Sequence, residues 1–279
     1  KKAVEAYCRR NSREIAFHCF VQYHLHTQLS EVCAYARSRG VVLKGDLPIG
    51  VSRTSADAWI HPRLFHMDSQ AGAPPDAFSA SGQNWGFPTY DWEHMAQDEY
   101  FDAFRIDHIL GFFRIWEIPV HAVHGLLGYF NPALPYSADE LRGMGFDTAG
   151  GRFTVPAPDD RMLGELFGEL ADEVRTTCMK EGRLLPAYAT QRKVAERFPG
   201  DDPRRSRLRE GLMTLLDDVL FIEDPRRKGF FHPRIAAQST YMYRTLDPQR
   251  RDTFDRLHDD FFYRRHNRFW QESALRKLP

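Results

Sequence analysis

Between residues 13 and 39 the apolar residues Val21, Leu25, Leu29, Val32 and Ala36 recur at steps of three and four, which predicts one amphipathic helix. Gly40 ends it. Val41-Val42-Leu43 then opens a strand that runs into Gly45-Asp46-Leu47-Pro48-Ile49-Gly50. Helix, tight turn, apolar strand and a polar residue near the strand end make one α/β unit. Residues 51–90 carry no long periodic pattern, only scattered prolines, glycines and aromatics, and predict a long loop. Loops of that length in compact domains are usually functional. The next strand ends in Arg105-Ile106-Asp107-His108, with Phe101 and Phe104 before it, and an apolar segment from Phe112 to Pro119 follows.

From about 121 to 240 the pattern turns helical. Ser137-Ala138-Asp139-Glu140 is a capping-box sequence. Leu163, Leu166, Phe167, Leu170, Val174 and Cys178 form one stripe, ended by Gly182, and Leu208, Leu212, Leu215, Leu216 and Val219 form another. A last helix follows Pro248 and turns Phe254, Leu257, Phe261 and Phe262 inward. The chain thus divides into an α/β part over 1–120, a helical insertion over 121–240, and a return helix over 241–279.

Composition narrows the function classes. The 279 residues carry 38 basic and 38 acidic side chains, so the formal net charge is zero. A nucleic-acid or membrane-surface binder usually shows a basic excess, so neither partner is expected. The basic run Arg204 to Arg209 reads as a solvated helix face beside Asp201 and Asp202. No apolar run approaches the roughly 18 residues of a membrane span, and no apolar stretch behind Lys1-Lys2 suggests a secretory signal. The chain begins mid-pattern, as if something precedes it. Cys8, Cys19, Cys33 and Cys178 show no paired or metal-like spacing, which suggests reduced thiols and the cytoplasm.

The chemistry concentrates at strand ends. An arginine two positions before Asp107 favours the charged carboxylate and suits it to act as a nucleophile. In a parallel barrel, polar residues at C-terminal strand ends are the usual catalytic positions, and Asp46 and Asp107 would share that rim. A structural Arg–Asp pair capping the strand also fits these residues. The intervening loop holds Trp59, Phe65, Phe78, Trp85 and Tyr90 with Gln83 and Asn84. Aromatic faces beside amides and carboxylates suit sugar rings, although loop aromatics also serve as core plugs. No metal is expected. His24 and His26 face different directions on their helix, and His121 and His124, at helical spacing, show no evident acidic or cysteine partner. No dinucleotide, nucleotide or serine-hydrolase motif is present.

Five motifs then occur in order: Gly45-Asp46-Leu47-Pro48-Ile49-Gly50-Val51, Ser55-Ala56-Asp57-Ala58-Trp59, Pro74-Pro75-Asp76-Ala77-Phe78-Ser79, Gly82-Gln83-Asn84-Trp85-Gly86-Phe87-Pro88-Thr89-Tyr90-Asp91-Trp92, and Phe104-Arg105-Ile106-Asp107-His108. Together they resemble the 4-α-glucanotransferases of glycoside hydrolase family 77, the amylomaltases or disproportionating enzymes. Gly111-Phe112-Phe113-Arg114-Ile115-Trp116-Glu117-Ile118-Pro119 extends the likeness. The helical block and Phe231-His232-Pro233-Arg234 resemble the large, cytosolic, maltose-processing subtype.

The resemblance implies a (β/α)8 TIM barrel, here in part, with a mostly helical insertion after the fourth strand. It implies a retaining double displacement on α-1,4-glucans in maltose, starch or glycogen metabolism. Maltose, maltodextrin or a branched glucan would serve as donor and acceptor, and no cofactor is implied. Asp107 matches the nucleophile and Arg105 the arginine that holds it ionised. Asp46 matches the carboxylate that contacts the donor sugar. Gln83 and Trp85 match acceptor-side contacts, with Phe78 near them, and His108 a further substrate contact.

The same resemblance places the acid/base glutamate after Ala274-Leu275-Arg276-Lys277-Leu278-Pro279, and a third carboxylate further on. Between Met95 and Tyr100 the family has a longer helical stretch, so this connection is short. An α-glucan hydrolase of the amylase kind shares the Arg-x-Asp strand, and a non-catalytic glucan-binding fragment fits a missing glutamate. The loop from Gly82 to Trp92 favours the transferase.

Overall fold

The structure is a computed structural model that describes residues 1–92, 94, 103–106, 114–265 and 268, with backbone only at Leu47 and over 103–106. The chain forms two compact units, Lys1–Ile49 with Met95–Ile109, and Gly50–His94 with Leu110–Pro279. Helices and sheets mix throughout.

In the first unit the expected helix runs over Ser12–Ser38, after a shorter one over Lys2–Arg10. Its end is set by backbone geometry. Gly40 takes φ +71°, and the Gly40 and Val41 N–H groups donate back to the Arg37 and Ala36 carbonyls, a Schellman closure. Most of the expected apolar stripe is not covered: of this helix only Cys33 and Ala36 are buried, and Leu25 and Val32 are over half exposed. Amphipathic spacing states which face gains from burial, not that the described residues bury it. The strand also starts later than its apolar run suggests, at Lys44 rather than Val41. Its ladder is parallel to Ala103–Ile106 and begins at the pair Lys44–Ala103, which leaves Val41 and Val42 exposed before it. The segment between Met95 and Tyr100 lies outside the described residues.

The second unit corrects the reading of 51–90 as a long loop. A short helix, Ala56–Ile60, is capped by Ser55, whose hydroxyl accepts the Ala58 N–H. The rest builds an antiparallel four-stranded sheet, in the order Gln83–Asn84, Ser69–Ala73, Ile115–Pro119, Tyr129–Asn131. Phe65–His66 pairs with Thr89–Tyr90 beside it. These strands give no periodic signal because they are short, and because Ser69, Gln70 and Ala71 are all buried, so both faces of the central strand are covered. Gly72 is required there: a Cβ would sit 2.1 Å from the Gln83 carbonyl oxygen and 2.5 Å from Ile118 Cδ1.

The segment read as mostly helical is mixed as well. Ser137 and Glu140 close a reciprocal capping box at the start of Ala138–Gly143. The stripe from Leu163 to Cys178 is two helices, Asp160–Phe167 and Ala171–Thr177, because Gly168 turns the chain at φ +57°. Pro203–Leu216 packs against the first of them, and Phe167 sits over Gly211, where any Cβ would meet its ring at 2.4 Å. A three-stranded antiparallel sheet joins Phe221–Glu223, Phe230–Pro233 and Tyr136–Ser137. The last helix, Pro248–Asp259, turns Phe254 and Leu257 into the core as expected. Phe146 centres that core, edge-on to Phe153, Phe221 and Phe254 at 5.4, 5.5 and 5.9 Å. Among the described residues, no helix is long and apolar enough to cross a membrane.

One buried carboxylate joins the four-stranded sheet to the segment beyond it. Glu117 is fully buried in the central strand Ile115–Pro119. Its Oε1 accepts from Thr89 Oγ1 at 2.5 Å and from Asn131 Nδ2 at 2.9 Å, and lies 2.9 Å from His66 Nδ1. Its Oε2 accepts from Tyr129 Oη at 3.2 Å and Arg226 Nη1 at 2.8 Å. Arg226 also reaches Asp68 at 3.1 Å. Burial alone would raise the Glu117 pKa. The His66 hydrogen bond, the Arg226 and His66 charges and the Thr89 hydroxyl overcome it and hold the group at about 2. Burial and the Glu117 charge push the Tyr129 phenol well above its ordinary range.

Three outcomes follow from this packing. Phe146→Ala lowers unfolding free energy in urea by about 3–5 kcal/mol, the usual cost of emptying a buried aromatic site. Arg226→Met costs roughly 3–5 kcal/mol because it leaves a buried charge unpaired, and adding Glu117→Gln to it recovers part of the loss. The Glu117 pKa lies below its ordinary 4.5, so its contribution is complete above about pH 4.5 and fades as pH falls toward about 2. Thermal unfolding across that window therefore drops steeply in the native protein and less steeply in Glu117→Gln.

Candidate functional site

Asp46 and Arg105 form one rung of the parallel pair: the register sets Gly45 beside Phe104, Asp46 beside Arg105 and Leu47 beside Ile106. Neighbouring strands run about 4.8 Å apart, so the two backbones are close at this rung. Asp46 is exposed. Asp107 and His108 follow Ile106 directly and lie outside the described residues, as does the Arg105 side chain.

The second unit holds the remaining candidates. Asp76 fixes the turn that carries Phe78: its Oδ1 accepts the Phe78 and Ser79 N–H groups, both at 2.8 Å. Ser79 Oγ then donates to the Gly82 carbonyl at 2.8 Å. Gly82 takes φ +71°, and a Cβ there would sit 2.7 Å from the Ala73 carbonyl. The turn is thus closed by its own polar groups, and Phe78 is left 97% exposed.

Gln83 and Trp85 do come together. Gln83 Oε1 accepts from Trp85 Nε1 at 3.1 Å, which fixes the amide and the indole relative to each other. Two backbone bonds hold this edge down, from Trp85 N–H to the Ala71 carbonyl and from Ala71 N–H to the Phe87 carbonyl. Trp85 stacks on Phe87 at 6.0 Å. Between them, Asn84 Nδ2 donates to the Ala122 and Val123 carbonyls, and its Oδ1 accepts the Gly86 N–H at 3.0 Å. Asn84 is therefore a clamp, while Gln83 and Trp85 present an amide and a flat apolar face to solvent. Trp59, 81% exposed, offers another such face.

Sequence reasoning missed the polar groups behind this edge. Glu117 had a signal, since a lone acid within Ile115-Trp116-Glu117-Ile118-Pro119 is costly unless satisfied. His66 is bonded to Glu117, and its Nε2 lies 3.6 Å from Asp91. The absence of an acidic partner for His124 is also corrected: its Nδ1 lies 2.8 Å from Asp217 Oδ2, a residue 93 positions away. His121 and His124 sit in a turn, not a helix. Burial lowers the His121 pKa, and the nearby Arg192 charge lowers it further. Among the described residues, no group of three or more histidines, cysteines and acids could hold a metal ion.

A family model described as 4-alpha-glucanotransferase, glycoside hydrolase 77, matches residues 1–277. The 4-alpha-glucanotransferase DPE2 of Oryza sativa subsp. japonica is 39% identical over 292 residues, which span 95% of this chain and 30% of that protein. The 4-alpha-glucanotransferase of Aquifex aeolicus (strain VF5) is 34% identical over 211 residues, 62% of this chain and 43% of the relative. The chain thus spans less than half the length of either relative. The amylomaltase from Streptococcus agalactiae, solved in complex with acarbose, overlaps 95% of this chain and 66% of its own at 20% identity and a TM-score of 0.38, too low to bear on the fold. With the family model matching nearly end to end, this chain belongs to glycoside hydrolase family 77, the 4-alpha-glucanotransferases.

Proposed function

We propose that the protein carrying this chain is a 4-α-glucanotransferase that moves glucosyl or maltodextrin units between α-1,4-glucans by a retaining double displacement. The observation that carries the reading is the rung that sets Asp46 beside Arg105 on adjacent parallel strands, two residues before Asp107, in a chain of this family. In this reading the two strands belong to a (β/α)8 barrel formed in part by residues 1–120. Residues 121–240 are an insertion on it, and 241–279 return to it. Maltose or longer α-glucans are donor and acceptor, and the scattered cysteines suit the cytoplasm.

The chemistry follows from these assignments. Asp107 attacks the anomeric carbon as the glycosidic C1–O bond breaks, and the departing sugar's oxygen takes its proton from the acid/base carboxyl; Arg105 holds the nucleophile ionised. In the second step the acceptor hydroxyl attacks the glucosyl-enzyme, returns that proton to the acid/base group and frees Asp107. Asp46 accepts hydrogen bonds from the donor sugar, and His108 contacts the substrate. Retention also requires an acid/base carboxyl about 5–5.5 Å from the nucleophile. The acceptor is then held by Gln83 and Trp85, with Phe78 beside them. Transfer outruns hydrolysis when a sugar hydroxyl, not water, occupies the attacking position. A fixed amide next to an indole face is suited to that discrimination, because the ring excludes water from the sugar's apolar face.

Maltose alone supplies the test. The protein converts it to glucose plus longer maltodextrins, and Asp107→Asn lowers that rate by at least roughly 10³-fold. Glucose release without longer products, or transfer undiminished in Asp107→Asn, would contradict the reading. Gln83→Ala raises the KM for the acceptor while single-turnover glucosyl-enzyme formation keeps its rate, a split that separates acceptor binding from donor cleavage.

A further inference from the structure

Behind the turn that carries Phe78 lies a cavity of about 350 Å³ within the second unit. Ala80 and Ser81 of that turn form one wall, and segments between His124 and Arg244 form the rest. Small-ligand sites run from about 300 to 1,000 Å³, so the space fits one or two sugar rings.

Its lining has two characters. Leu126, Met162 and Leu166 supply an apolar side. Asp217, Asp218 and Arg234 supply a polar side whose groups are already positioned. Asp217 is held by His124 Nδ1 and Gln191 Nε2, both at 2.8 Å. Asp218 accepts the Tyr241 N–H at 2.6 Å. Arg234 is 3% exposed, and its Nη1 donates to the Ile235 and Ala236 carbonyls. Its Nε is buried with no hydrogen-bond partner among the described residues. At the mouth the Arg244 guanidinium lies 5.5 Å from the Tyr241 ring centroid and 3.9 Å from Glu165.

Charge selects the ligand class. An anion entering here meets Glu165, Asp217 and Asp218, and a cation meets Arg234 and Arg244. A neutral polyol meets donors and acceptors of both kinds, and a sugar ring adds an apolar face for Leu166 and Tyr241. We infer that this cavity binds one or two α-linked glucosyl units. The sugar class rests on the transferase reading above, whereas the neutral, two-faced character of the site does not.

The test is calorimetric titration of the full protein, in an Asp107→Asn background that prevents turnover, with maltose as the probe. Ser81 and Arg244 are both exposed, so Ser81→Trp and Arg244→Ala each leave the core intact. Each variant binds one maltose equivalent fewer than its parent. Stoichiometry and affinities unchanged in both variants would overturn the inference. Loss of an equivalent in a protein whose unsubstituted form makes no transfer products would sink the transferase reading and leave the cavity site standing.

Discussion

Burying a carboxylate in the centre of a sheet is among the costlier things a chain can do, and the order of the second unit depends on how the cost at Glu117 is offset. An isolated ion there would lose several kcal/mol of hydration. Five donors from five separate positions converge on its two oxygens. His66 and Thr89 come from the paired short strands, Tyr129 and Asn131 from the edge strand, and Arg226 from 109 residues further along the chain. Because any unmade bond leaves a buried charge partly unpaired, the arrangement behaves as all-or-none. It fixes the strand Ser69–Ala73 against Ile115–Pro119, and through that strand the Gln83–Trp85 edge. It also anchors the long segment beyond residue 121 at Arg226.

The consequence for the proposed glucosyl transfer is geometric. An enzyme that passes sugar to sugar has to hold an acceptor in place of water, and a loop of small, polar residues does not do that unaided. Here the turn from Asp76 to Gly82 is closed by side-chain-to-backbone bonds, and Asn84 clamps the next strand to the Ala122 and Val123 carbonyls. The exposed aromatics therefore stand on a fixed base, which reduces the ordering cost of binding. The cavity behind Ser81 shares a wall with this base, so the segment beyond residue 121 touches the loop from the back as well as through Arg226.

How much of this the sequence revealed differs by the range of the signal. Local signals carried well: Gly40 as a helix stop, the Ser137–Glu140 capping box and Phe254 and Leu257 facing inward after Pro248 are all present. Signals that need a partner far along the chain did not. Nothing near His124 announces Asp217, and nothing near Glu117 announces Arg226. Short strands buried on both faces, such as Ser69–Ala73, leave no alternation to read. The helical stripe at Leu25 and Val32 was correctly spaced but is uncovered by the described residues. The ordered family motifs, by contrast, were legible because chemistry fixes residue identities more tightly than folding does. Of the residues they single out, Gln83 and Trp85 are bonded to each other and Asp46 lies beside Arg105, while Asp107 and His108 lie outside the described residues.

In the proposed mechanism the Asp107 carboxylate is the group that takes the glucosyl unit. Incubation of the full protein with a slow fluorosugar donor, followed by digestion and mass spectrometry, locates the covalent adduct. A fluoroglucosyl-sized mass increment on the peptide containing Asp107, discharged when maltose is added as acceptor, is the predicted result. An adduct on Asp46 or elsewhere, or none while transfer proceeds, would contradict it.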